Sequence, residues 1–263
     1  MQSSHNTIIT ILRTDTMPLQ VLSEMEMDIS LSIMHHMGTS WTEITAENAF
    51  RTISQEAQER TKAAFDQLAS DANLDPDRFI ARDPRAAERL RRHTNSITQS
   101  VIRSLRNPFT KHYGFPVITE EAIVWMTERL RGHHPALEVG AGNGYLARRL
   151  RDAGADLIAT DIARLEYNEF GLGNEYHNQI VFMDAKSAIE TIRPSALIWS
   201  WPAYDQSSGD ALAAFTGEII LYIGEQYDGC TGGPHFTNIL EKRFKRKDHL
   251  QIPSFPGIYD SVG

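Results

Sequence analysis

The chain has 263 residues, of which 41% are hydrophobic and 23% charged, with a net charge of −8 and a pI near 5.7. That length can bury a sizeable core and hold one domain of moderate size with a smaller element beside it. The acidic balance argues against a nucleic-acid backbone as default partner, because phosphate binding needs clustered cations, and the single Cys230 excludes an intramolecular disulfide framework.

Taken in chain order, the run Ile8 to Leu12 is short and lacks the basic flank of a signal peptide. No segment reaches membrane-spanning length, so the expected location is the cytoplasm, with no membrane partner. Residues 1–110 then carry apolar side chains at helical spacing: Leu22, Met25, Ile29 and Ile33, followed by Phe50, Ile53, Phe65 and Leu68. Three helices are predicted. Gly38 marks the stop of the first, while Asp83-Pro84 reads as an N-cap and first helical position of the third, which runs to about Leu105. Arg85, Arg89, Arg91 and Arg92 make this third helix locally basic. With Glu88 interspersed in an acidic chain, a solvated face accounts for them better than an RNA surface.

From Asn107 to Pro116 the chain is punctuated by Pro108, Gly114 and Pro116, with Phe109, Tyr113 and Phe115 among them, which predicts a packed linker. A helix follows. Glu120 and Glu121 occupy its first turn, where carboxylates complement the dipole, and Gly132 lies just past its end. Beyond it, apolar runs at 136–139, 157–160, 180–183, 196–199 and 218–223 alternate with segments able to form helices. This is the βαβ rhythm of a parallel sheet buried on both faces. The expected organisation is a helical region over 1–110 and a doubly wound α/β domain over 111–263.

Residues 137–144 read Leu-Glu-Val-Gly-Ala-Gly-Asn-Gly, an apolar strand entering a glycine turn. A dinucleotide turn, Gly-x-Gly-x-x-Gly, would place its third glycine at 145, where this chain has Tyr145. Instead Gly140, Gly142 and Gly144 follow Glu138 as E-x-G-x-G-x-G. Asp161 ends the next apolar run, roughly 20 residues past the turn, where a carboxylate accepts hydrogen bonds from ribose hydroxyls; capping the following helix is its alternative role.

These residues resemble motif I of the class I S-adenosylmethionine (SAM) dependent methyltransferases. The resemblance extends over about 113–262, through Pro-Val-Ile-Thr-Glu-Glu, Ser-Trp-Pro, Tyr-Ile-Gly-Glu, Gly-Cys-Thr-Gly and Ile-Pro-Ser-Phe-Pro-Gly-Ile-Tyr-Asp. It implies a Rossmann-like sheet of the class I methyltransferase kind and SAM as cosubstrate; the helical first 110 residues lie outside the resemblance and are expected to cap the pocket. It also implies that Glu138 helps hold the amino-acid part of SAM, with Gly140, Ala141, Gly142 and Gly144 forming a cradle. Asp161 with Ile162, and Asp184 with Ala185, follow the second and third strands; Asp184 would accept the adenine amino hydrogen or cap a helix.

The fourth strand ends in Ser200-Trp201-Pro202-Ala203-Tyr204-Asp205, similar to the Asn/Asp-Pro-Pro-Tyr motif of amino-group methyltransferases but with Trp201 in place of the polar residue. Indole has one donor and no acceptor, which puts methylation of adenine N6 or a glutamine amide in doubt. Trp201 and Tyr204 either wall the site and attract a cation, or Trp201 packs at the sheet edge. Ser200, Tyr204 and Asp205 are candidate positioning groups. Glu225, after the fifth strand, is a candidate general base or a surface carboxylate. Cys230 has no His or Lys neighbour to activate it and reads as incidental. In proteins of this kind a further antiparallel strand follows; here it is expected to be short or missing.

His35-His36 and His133-His134 are adjacent pairs that do not share a helix face, so no metal site is expected. The first functional expectation is a SAM-dependent methyltransferase acting on a small molecule. The second is a SAM-consuming cyclase resembling azetidine-2-carboxylate synthases, in which the methionine amine attacks its own γ-carbon and methylthioadenosine leaves. The third is a non-catalytic SAM-fold scaffold.

Overall fold

The computed structural model describes residues 19–38, 43–73, 85–162, 179–225 and 229–263, with single positions at 40, 41, 75, 77, 80 and 83. The apolar run at 8–12 lies outside the described residues. The chain divides into two compact units, one reaching Glu43 and including Asn48–Arg106, the other made of Ile44–Glu47 with Asn107–Gly263.

The first unit carries three long helices, α1 (Leu19–Met37), α2 (Ala46–Asp71, whose first turn belongs to the second unit) and α3 (Ala86–Ser104). Each buries a stripe at multiples of four residues: Ile29, Ile33 and Met37; Ile53, Ala57 and Phe65; Ile97 and Val101. The helix stop at Gly38 falls where expected, since α1 ends at Met37. Asp83 does not cap α3 directly. The N-cap position is Arg85, and the Asp83 carboxylate accepts its backbone N–H at 3.0 Å, an Asx turn set ahead of the helix. The basic face of α3 is internally paired: Glu88 meets Arg91 at 2.8 Å and Arg92 at 3.7 Å, and Asp83 pairs with Arg89.

The stretch expected to be a linker is mostly helical: α4 spans Arg106–Tyr113. Pro108 falls in its first turn, where the missing N–H has no helical partner to lose. Phe109 and Tyr113, one turn apart, are both buried, and Phe109 also meets Phe255 edge-on at 5.1 Å. Gly114, with φ of 83°, ends the helix. The next helix, α5 (Glu120–Leu130), is capped by Thr119, whose hydroxyl accepts from Ala122 N–H at 3.1 Å.

The sheet strands are β1 (Ala136–Val139), β2 (Leu157–Asp161), β3 (Ile180–Phe182), β4 (Ala196–Ser200), β5 (Ile219–Glu225), β6 (Leu250–Gln251) and β7 (Asp260–Val262). Between them run α6 (Tyr145–Asp152), α7 (Ala185–Ile192), α8 (Gln206–Ala214) and α9 (Gly233–Arg243). The strand order is β3-β2-β1-β4-β5-β7-β6, parallel through β5, with β7 antiparallel between β5 and β6. The closing hairpin is therefore present and short. Leu137, Val139, Leu197 and Trp199 share one core with Ile189 of α7, Leu212 of α8 and Phe236 of α9. Alternation along β1 sends Glu138 to the other face.

Candidate active site

The strand order reverses at β1, which pairs with β2 on one side and β4 on the other. In doubly wound sheets the crevice for a ligand lies beyond the carboxyl ends of such strands. Register fixes which residues meet there: Val139 is level with Thr160 and Trp199. One step further along the three strands come Gly140, Asp161 and Ser200.

The turn after β1 needs its glycines, because Gly140, Gly142 and Gly144 have φ of 65°, 58° and 80°, in the region where a Cβ is strained. Ala141 N–H is held by the Thr160 carbonyl at 3.0 Å, and Gly142 N–H by the Asp161 carboxylate at 2.7 Å. Asn143, which is buried, accepts from Tyr145 N–H at 3.0 Å and donates to the Lys111 carbonyl at 3.3 Å. Tyr145 stands where a dinucleotide turn would have glycine, and it is also buried. Its ring meets Tyr113 edge-on, and its hydroxyl accepts Ala46 N–H at 3.0 Å, tying the start of α2 to the start of α6.

Glu138 is 1% exposed, and its Oε2 has no hydrogen-bond partner among the described residues. A buried carboxylate without a partner is costly when charged. Burial pushes its pKa up to about 8; Asp161 adds to the rise, and Arg151 opposes it. The site thus presents a neutral acid able to become a carboxylate when a cation arrives.

Asp161 has two roles open to it in the sequence, and its Oδ2 takes a third, bracing the glycine turn. Ile162 beside it is 64% exposed. Asp184 caps α7, accepting Ser187 N–H at 2.9 Å, and hydrogen bonding from the Ser187 side chain first and its N–H second holds the Asp184 pKa below the usual carboxylate range. Ala185 opens the same helix. Asp205 likewise caps α8, accepting the Ser207 hydroxyl at 2.7 Å and Ser208 N–H at 3.2 Å, and these bonds lower its pKa.

Ser200 ends β4, and Trp201 follows with φ of 50°, a left-handed conformation that a bulky residue seldom adopts. Three contacts hold it there. Its N–H donates to the Ile223 carbonyl at 2.8 Å, its indole N–H to the Asp260 carboxylate at 2.8 Å, and its ring stacks on Phe115 at 5.1 Å and 19°. Asp260 is 1% exposed, and its backbone N–H donates to the Ser254 hydroxyl oxygen at 2.9 Å. Sequence reasoning gave Asp260 no role, although an acidic residue in that otherwise apolar ending was a signal. Tyr204 is 59% exposed.

Glu225, at the end of β5, accepts Cys230 N–H at 2.8 Å and the Cys230 thiol at 3.0 Å. The loop turns close: a Cβ on Gly229 would lie 2.3 Å from the Glu225 Cβ. Beneath it, the Tyr222 and Thr231 hydroxyls meet at 2.5 Å, and burial raises the Tyr222 pKa. Of the histidines, His133 faces Glu218 at 3.4 Å and His134 faces Asp156 at 3.6 Å.

No protein-family model matches the chain, and no curated protein matches it in sequence. Solved structures do overlap with it. A Burkholderia thailandensis 1,6-didemethyltoxoflavin-N1-methyltransferase, with that compound and S-adenosylhomocysteine bound, is 15% identical, with a TM-score of 0.41 over 64% of this chain and 86% of its own. The Synechocystis magnesium protoporphyrin IX methyltransferase with bound SAM is 14% identical, with a TM-score of 0.37 over 54% and 78%. Human N-acetylserotonin methyltransferase in complex with SAM is 16% identical, with a TM-score of 0.36 over 88% and 68%. Overlaps of this size establish neither family nor substrate. The chain's own strand order establishes the doubly wound sheet.

Proposed function

We propose that residues 107–263 bind SAM across the carboxyl ends of β1 to β4 and transfer its methyl group to a small-molecule acceptor. The observation that carries this reading is Glu138: a buried carboxyl group without a partner on Oε2, two residues ahead of the first of three positive-φ glycines and level with the strand ending in Asp161. A ligand joining an ammonium to a ribose by one linker satisfies both acids, and the side-chain-free turn lets it approach the backbone. In this reading Asp161 accepts from the ribose, Ile162 covers the adenosine, and Asp184 and Ala185 border the adenine.

Little side-chain chemistry is needed, because the sulfonium already carries the reactive carbon. The residues around Ser200 and Trp201 align an acceptor and exclude water. The acceptor's lone pair forms the bond to the methyl carbon while the carbon–sulfur bond breaks and its pair stays on sulfur. The Trp201 and Tyr204 faces stabilise the cation by about 0.5 to 2 kcal/mol. Glu225 takes the acceptor's proton where the acceptor has one to lose.

Calorimetry with SAM and S-adenosylhomocysteine tests the binding half. Asp161→Ala weakens both ligands by about 1 to 3 kcal/mol through lost charged hydrogen bonds; unchanged affinity removes the ribose assignment. Mass spectrometry of a SAM incubation tests the reaction half. S-adenosylhomocysteine formed only with an acceptor supports methyl transfer, methylthioadenosine formed without one replaces it with cyclisation, and absence of binding leaves a scaffold.

A further inference from the structure

A cleft of about 650 Å³ runs along β5 between α5, α9 and residues 244–248, a volume in the range of small-molecule sites. It exists because β7 covers the outer edge of β5 only from Tyr222 to Glu225, leaving the start of the strand against the opening. Glu138, the glycine turn, Asp161 and Ser200 are not among its lining residues, and the one residue it shares with the proposed reaction is Glu225, at the far end of β5.

The cleft's floor is apolar, formed by Trp125, Ile220, Tyr222, Phe236, Leu240 and Phe244. Its rim is basic. Residues 242–247 read Lys-Arg-Phe-Lys-Arg-Lys, five cations in six positions of a chain whose net charge is −8. Several of the surrounding charges are already engaged. Arg129 lies 3.5 Å over the Trp125 ring and pairs with Asp248, His133 faces Glu218, and Arg243 donates to the Leu212 and Ala213 carbonyls that end α8. Lys245 and Lys247, both exposed, have no ion-pair partner among the described residues, and the nearby lining acid not engaged with a cation or loop is Glu241.

We infer that this cleft is a second ligand site, for an organic anion with an apolar body. The body displaces water from Trp125, Leu240 and Phe244, and the carboxylate, sulfonate or phosphate group meets Lys245 and Lys247. The site stands whether or not SAM binds at the glycine turn.

The test is a fluorescence titration of the full chain with 8-anilinonaphthalene-1-sulfonate, an aromatic sulfonate. Saturable binding is expected, with energy transfer from Trp125 that falls in Trp125→Phe. The Lys245→Glu/Lys247→Glu double variant, its fold checked by circular dichroism, should bind about tenfold more weakly or worse, which corresponds to about 1.4 kcal/mol. Saturating S-adenosylhomocysteine should leave the titration unchanged. The inference is overturned by a wild-type chain that does not saturate, by a double variant that binds as wild type, by energy transfer indifferent to Trp125→Phe, or by displacement with S-adenosylhomocysteine. If the chain fails to bind S-adenosylhomocysteine while the probe still discriminates the variants, the reading of the glycine turn fails and this one survives.

Discussion

Glu138 makes the proposed site sensitive to pH in a direction that can be worked out. With a folded pKa near 8 against 4.5 for an ordinary glutamate, it holds a proton at neutral pH when no ligand is present. Closing an ammonium onto it requires the carboxylate, so the proton leaves on binding. Affinity for S-adenosylhomocysteine should rise by up to about tenfold per pH unit from about pH 6, and stop rising near 8, where the ligand's own amine also titrates. Calorimetry in two buffers of different ionisation enthalpy reads the released proton directly; Glu138→Gln abolishes it. Stability runs the other way: the raised pKa contributes fully below 4.5 and its contribution is lost as pH rises through about 8, on the order of 5 kcal/mol in all. Chemical melts across that window should slope downward in the wild type and flatten in Glu138→Gln. A second residue-scale prediction concerns Asp260. Removing it in Asp260→Ala leaves the strained Trp201 without its indole acceptor and should cost about 1 to 3 kcal/mol in a thermal melt, whereas Asp260→Asn keeps an acceptor oxygen and should recover most of it. Glu138 could be singled out in the sequence because it stands two residues ahead of the glycine turn. Asp260 was not, because it reaches Trp201 from 59 residues away.

At the scale of elements, the strands were readable because continuous apolar runs leave few alternatives, and β1, β2 and β4 fall within a residue of the predicted bounds; β1 and β4 are buried on both faces as expected, whereas Ile158 of β2 and Val181 and Phe182 of the edge strand β3 are exposed. α4 was missed for the opposite reason. Its Pro108 and Gly114 look like loop punctuation until the proline is placed in the first turn and the glycine just past the last. Tyr145 was read only as a missing glycine, while its use is tertiary, holding the Ala46 N–H of a helix far away in the chain. The loop after β5 is shaped in the same way by one acid. Glu225 gathers the Cys230 N–H and thiol, and Gly229 is small because nothing larger fits against the Glu225 Cβ. Gly229→Ala should therefore push the loop off Glu225. The expected signature is faster reaction of the Cys230 thiol with a maleimide at neutral pH, at a melting temperature close to wild type; an unchanged thiol rate would separate the loop from Glu225.

The whole chain forms a doubly wound sheet, with its order reversing at β1, and a set of long helices that make a compact unit of their own. Residues 44–47 belong to the sheet unit although they precede most of the helical one, so the chain passes between the two units three times. Through them the first turn of α2 is fastened beside the glycine turn: Ala46 N–H bonds to Tyr145, the Ile44 carbonyl accepts the Tyr113 hydroxyl at 3.2 Å, and Glu47 accepts Glu120 N–H at 3.2 Å. A ligand that orders the turn at 140–144 therefore acts on the residues that start α2. That gives the cap expected from the sequence a thermodynamic test. S-adenosylhomocysteine at about 100 times its dissociation constant should stabilise the unit that binds it by about 2.7 kcal/mol. If the helical region caps the pocket, hydrogen exchange should slow in α1 and α3 as well as in β1 and α6 when the ligand is added. Protection confined to residues 107–263 would leave SAM binding intact and remove the cap.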